Sequence, residues 1–206
     1  MRLVHSDQFN TLVIIILAFS ILLVACLQTT SNEPKIIPVS SSKFDEFIVP
    51  SAQRHVEDAY NLAREWSSDA ILIGVTVNVP PSGQQEFVMY SFISIINSKE
   101  HLIFSYIADT VTTSIYDWGR SNDGLNEIEL DRWLMDSTEA FETAQHNGGQ
   151  EHLQNTSGNI DIMLLLEVTK DNTLVWRVSY RSVDGTGTMY IGIDAETGVF
   201  MWIDYP

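Results

Sequence analysis

The residues most often recruited for nucleophilic or metal chemistry are few in this chain: one cysteine, Cys26, and five histidines, His5, His55, His101, His146 and His152. A lone thiol cannot close an intrachain disulfide, so no disulfide framework is available to the fold. No two histidines stand four apart with a glutamate between them, the spacing that puts two zinc ligands and a base on one helical face. His146 and His152 flank Gly148-Gly149 and read as solvated loop residues rather than ligands. Gly-x-Ser-x-Gly, the phosphate loop and the dinucleotide fingerprint are all missing from the sequence. Gly185-Thr186-Gly187 precedes a strand pattern and not a helix, so it reads as a hairpin loop instead of a phosphate cradle. An EF-hand frame centred on Gly124 would run from Gly119 to Leu130, neither of them a carboxylate. A looser calcium site from Asp123, Glu127 and Asp131 is the remaining metal option. These absences lead to the expectation of a protein that is not an enzyme, with no catalytic residue, no cofactor and no resident metal.

Charge narrows the partners. Eleven Lys and Arg stand against 27 Asp and Glu, a net −16 at pH 7. Nucleic-acid affinity comes largely from cationic side chains displacing counterions, so a nucleic-acid partner is excluded. The same charge opposes lying flat on anionic lipid.

Cys26 takes its meaning from what precedes it. Leu12 to Ala25 is apolar apart from Ser20. Such a run falls short of the ~20 residues a spanning helix needs and suits the apolar core of a secretory signal. It ends Leu23-Val24-Ala25-Cys26, which resembles the lipobox of bacterial lipoproteins. The resemblance implies that residues 1–26 form a signal peptide cut before Cys26, whose thiol then carries diacylglycerol. The protein would be held at the membrane through this lipid on its extracytoplasmic side, each buried CH₂ contributing about 0.8 kcal/mol. Leu27, the second residue after the cut, implies the outer membrane in a diderm envelope, and otherwise the cell membrane. The leading segment departs from the pattern: Arg2 is its clear positive charge, and Asp7 offsets it. An uncleaved signal anchor with an incidental cysteine is the alternative. Residues 27–43, rich in Ser, Thr, Asn and Pro, read as a flexible tether of roughly 20–25 Å.

The rest of the chain must fold around these functions. A helix is expected over Ser51–Trp66, capped by Ser51, with Val56, Ala59, Tyr60, Ala63 and Trp66 on one stripe. Strand patterns follow at Ile71–Val79, Glu86–Ile96, His101–Ala108 and Val111–Trp118. Arg120–Asp131 is a polar connection. Asp136 and Glu139 form a capping-box signature for a second helix, which Asn147-Gly148-Gly149 is expected to end. Gln150–Gly158 reads as loop. Ile160–Val168, Leu174–Tyr180, Met189–Ile193 and Val199–Ile203 read as strands, with Gly198 free to take the positive φ of a hairpin turn. The halves align: Glu57–Ala63 over Thr138–Ala144, Phe87–Phe92 over Val175–Tyr180, Leu102–Ile107 over Met189–Asp194. The expected fold is therefore α+β: two helix-plus-antiparallel-meander units, residues 44–119 and 133–206, joined by 120–132, each helix packed on its own small sheet.

Val175-Trp-Arg-Val-Ser-Tyr180, followed by Tyr190-Ile-Gly-Ile-Asp194 and Thr197-Gly198-Val199, resembles the end of a PepSY domain. The match covers the last third of the chain, and the first unit would be a degenerate copy lacking the Asp-x-x-Thr-Gly turn. The resemblance implies a non-catalytic envelope module that binds or restrains a protein such as a secreted peptidase. An open meander adds a physical reason, because its edge strand can accept an extended peptide. A structural lipoprotein without a specific ligand, or an envelope hydrolase with an unrecognised site, are the alternatives. Oligomeric state is left open.

Overall fold

In the computed structural model the described residues are 47–80, 85, 87–96, 99–107, 110–117, 124–156, 159–183 and 187–206. Helix α1 spans Val56–Trp66. Strands β1 (Ala70–Asn78), β2 (Phe87–Ser94), β3 (Glu100–Ile107) and β4 (Thr110–Asp117) follow. Helix α2 spans Ser137–Ala144, and a wide turn at Gln145–Gly149 leads into α3, Gln150–Asn155. Strands β5 (Ile160–Val168), β6 (Leu174–Ser182), β7 (Thr188–Asp194) and β8 (Phe200–Asp204) complete the chain.

The two expected small sheets are instead one. All eight strands form a single antiparallel sheet in the order β4-β3-β2-β1-β5-β6-β7-β8. Each meander begins on a strand rich in Val, Ile and Leu, and these two first strands pair. Val75 lies opposite Leu166 and Val77 opposite Leu164, with Thr76 and Asn78 opposite Leu165 and Met163 on the other face. Had β1 and β5 stayed apart, each would have exposed a row of backbone donors and acceptors beside apolar side chains. Their pairing removes both inner edges and leaves β4 and β8 as the outer ones. The expectation of separate helix-plus-sheet units is corrected accordingly: both helices lie on one face and share one core. That core includes Ala59 and Ala63 from α1, Ala140 and Ala144 from α2, and Leu164, Trp176, Val178 and Ile191 from the sheet.

Local details follow the same logic. The stripe of α1 is as the spacing requires, with Val56, Ala59 and Ala63 buried and the Tyr60 ring edge-on to Phe92 at 5.6 Å. Ser51 does not cap it, because the helix starts five residues later, after a turn anchored elsewhere: the Tyr90 hydroxyl donates to the Ala52 carbonyl at 2.7 Å. Asp136 does cap α2, with Glu139 completing the box. Gly148 takes φ +113°, the backbone state expected of a helix stop. The chain nonetheless re-enters helix at Gln150, because buried Leu153 gives one more turn an apolar anchor. The stretch read as a loop is thus partly α3.

Candidate functional site

Cys26 and Asp123 lie outside the described residues. Of the remaining calcium candidates, Glu127 accepts a hydrogen bond from the Tyr60 hydroxyl at 3.2 Å and Asp131 is exposed. Among the described residues no three His, Cys, Asp or Glu side chains are grouped to hold a metal ion, and no helix is long and apolar enough to cross a membrane. His146 is exposed, whereas His152 sits on α3 with its ring 6.1 Å from Tyr180. Burial lowers the His152 pKa and raises that of Tyr180, and the Gln145 side-chain amide donates to the Tyr180 hydroxyl at 2.8 Å. His152 is therefore a packing residue of the helix kink, not the solvated loop residue its neighbourhood of glycines suggested.

The Asp194-Ala-Glu-Thr-Gly198 turn is a structural hub. The Asp194 carboxylate accepts from the backbone N–H groups of Glu196 at 2.9 Å and Thr197 at 2.8 Å, and Gly198 takes φ +74°. The carbonyl of buried Ala195 accepts from Leu134 and Met135, and Glu196 pairs with Arg132. One Asp194 carboxylate oxygen, the Ala195 carbonyl and one Glu196 carboxylate oxygen are thus committed to the turn or to the connection that crosses it. Trp133 and Trp176 both donate their indole N–H to the Met135 carbonyl at 2.8 Å, which makes them core residues. Trp202 is different: it lies across Gly192, on the face opposite the helices.

Among the described residues no helix packs on that second face. A shallow groove of about 230 Å³ crosses it, lined by Thr76, Met163, Leu165, Arg177, Arg181 and Tyr190 among others. It gathers two of the chain's few cations, but both are already neutralised. Arg177 pairs with Glu167 at 3.1 Å and Arg181 with Asp161 at 2.8 Å, and Arg177 also lies over the Tyr190 ring at 5.8 Å.

The sheet edges differ from one another. β8 is five residues long, with Trp202 folded over Gly192 and Phe200 packed against the core. β4, TVTTSIYD, is eight residues long and exposed at every position. It pairs with β3 along its whole length, from Glu100 opposite Asp117 to Ile107 opposite Thr110, and its outer backbone row pairs with no other described strand. It carries no Pro, Lys or Arg, the residues that commonly protect an edge. Its side chains alternate: Val111, Thr113 and Ile115 share the helix-bearing face with Tyr106, Phe104 and Leu102. The strand pattern was visible in the sequence. That it would be an edge was not, because edge status depends on which strands find partners elsewhere.

No protein-family model matches the chain, and no curated protein matches it. Among solved structures it is similar to the crystal structure of a "putative lipoprotein" from Clostridium difficile 630. That likeness has a TM-score of 0.49 and 14% identity, over 81% of this chain and 97% of the other.

Proposed function

We propose that this chain is a lipid-anchored, non-catalytic envelope protein whose globular part binds a protein partner by taking an extended segment onto β4. The observation that carries the reading is β4 itself: a full-length edge, exposed throughout, with no Pro, Lys or Arg and with Asp117 at its end as its one charged residue. Strand addition there would satisfy the outer row of N–H and C=O groups, with side chains at alternate positions giving selectivity. The apolar run ending at Cys26 supports the membrane attachment, and a tether from Leu27 onward would let the domain reach secreted proteins. The PepSY resemblance directs the choice of first partner to a secreted metallopeptidase of the same cell.

The test is to mix full-length lipidated protein in detergent micelles with that peptidase, at low and high salt, and to follow amide hydrogen exchange. The expected result is a complex in which β4 amides become protected, weakened by salt and lost in Ile115→Lys. A complex that leaves β4 unprotected, or turnover of a peptide or glycan by the protein alone, would sink the reading.

A further inference from the structure

We infer that a small pocket beside the entry to α1 binds a carboxylate carried on a short branched aliphatic group. This pocket is separate from the β4 edge and does not depend on strand addition there. It measures about 240 Å³, with Val49, Pro50 and Val88 as apolar lining and Ser51, Arg54, His55 and Tyr106 as polar lining. That volume lies below the ~300–1,000 Å³ of sites for drug-sized ligands, so it suits one small group. Its walls are fixed before any ligand arrives. The Pro50 carbonyl accepts from the Ser137 hydroxyl at 2.6 Å, and the Ala52 N–H donates to Asp136 at 2.9 Å. The Ala52 carbonyl accepts from the Tyr90 hydroxyl at 2.7 Å. On the far wall the His55 and Tyr106 rings are stacked, their centroids 4.5 Å apart and their planes 4° from parallel.

Charge decides what the pocket takes. In a chain with 27 acids and 11 bases the arginines are mostly engaged. Arg132 pairs with Glu196, Arg177 with Glu167 and Arg181 with Asp161, while Arg64 lies over the Tyr60 ring. Among the described residues Arg54 is the one arginine with no ion pair, hydrogen bond or ring contact, and no carboxylate lines its pocket. Tyr106 is 7% exposed, yet its hydroxyl has no hydrogen-bond partner among the described residues. A buried hydroxyl in that state gains from any acceptor that reaches it. The polar lining thus offers a guanidinium, two hydroxyls and an imidazole N–H, and a carboxylate only accepts. The planar fork of Arg54 matches its two oxygens, and Val49, Pro50 and Val88 cover the carbons attached to it. Asp58, in the first turn of α1, opposes the anion: burial raises the Tyr106 pKa, and the Asp58 charge adds to it. It does not line the pocket, so it weakens binding without filling the site. Tyr106 stands opposite Val111, which puts the pocket one strand in from the end of β4. The carboxylate therefore has two sources, a free acid or the end of a peptide chain.

Isocaproate, isocaproamide and inorganic phosphate test this, each titrated into the full-length lipidated protein in neutral detergent micelles. Binding is read by NMR at the Arg54 side-chain Nε–H and the backbone amides of Ser51 and His55. Isocaproate is expected to bind roughly tenfold tighter than the amide or phosphate. Arg54→Gln should remove the preference for acid over amide, with an unchanged urea midpoint because that side chain is exposed. Tyr106→Phe keeps the ring on His55 and should weaken the acid roughly threefold, whereas Asp58→Asn should strengthen it. A peptide ending in leucine that binds tighter than isocaproate, and loses this when amidated, assigns the chain end as the source. Equal binding of that peptide and isocaproate assigns the free acid. Equal binding of acid and amide to the wild type, shifts that spare all three reporters, or no saturable binding overturns the site. Phosphate bound as tightly as isocaproate overturns the aliphatic part of the assignment. Protection of β4 amides is a separate readout, so strand addition stands or falls without this pocket.

Discussion

One carboxylate oxygen of Asp136 accepts the backbone N–H of Ala52 at 2.9 Å, across 84 residues of chain. The same oxygen accepts from Gln53 at 3.1 Å and from Ser137 at 2.7 Å. The Ser137 hydroxyl donates to the Pro50 carbonyl at 2.6 Å. The residues that start α2 thus also hold the segment entering α1, and this junction ties the two halves together on the helix side as β1–β5 does in the sheet. Replacing Asp136 by Ala removes a helix cap, worth about 1 kcal/mol. It also withdraws one acceptor from the Ala52 N–H, which is left with the Ser137 oxygen at 2.9 Å. A loss of roughly 2 kcal/mol is expected, read as a lower urea midpoint with unchanged slope. An unchanged midpoint would mean the junction contributes nothing.

Gly192 makes room for an indole. A Cβ there would sit 2.2 Å from the Trp202 ring. Gly192→Ala should push Trp202 off the sheet, shift its fluorescence to the red and cost roughly 1–3 kcal/mol through overpacking. In a Trp202→Ala background the same substitution should cost much less, because the clash is gone. Equal costs in the two backgrounds would show that Trp202 does not rest on Gly192.

Asp69 sets an acid-sensitive contact at the end of β1. Its carboxylate accepts from the Ser67 hydroxyl at 2.5 Å, the Ile96 N–H at 2.6 Å and the Ser94 hydroxyl at 2.9 Å. The Ser67 hydrogen bond first, then that from Ile96, lowers its pKa from 3.8 to about 2. A carboxyl group with a depressed folded pKa contributes stability that is present above its unfolded value and lost as pH falls through the folded one. The gap in urea midpoint between wild type and Asp69→Asn should stay constant above pH ~4 and narrow as pH drops toward 2. A gap that ignored pH in this window would remove Asp69 as its source.

Lipidation has its own test. Radiolabelled palmitate fed to producing cells should enter the wild type and be absent from Cys26→Ser. Equal label in both proteins would return the leading segment to the alternative of an uncleaved anchor.

Whatever depends on neighbours within a few residues could be read from the order of the amino acids. Strand periods, the Asp136–Glu139 capping box and the Asp194–Gly198 turn were all legible, because period-two burial, side-chain capping and positive φ are decided locally. Tertiary structure decided the rest. Whether two meanders make two sheets or one depends on β1 meeting β5, a contact such as Val75 with Leu166 that spans about ninety residues. Both arrangements bury the same alternating faces, so hydrophobic patterning cannot choose between them; the pairing of two otherwise exposed backbone rows does. The same choice made β4 an edge. Gly148 failed as a helix stop for a similar reason: its backbone turned as a stop requires, but buried Leu153 offered the chain a further helical turn on the core. A local signal sets which conformations are cheap, and the long-range contact decides which of them is used.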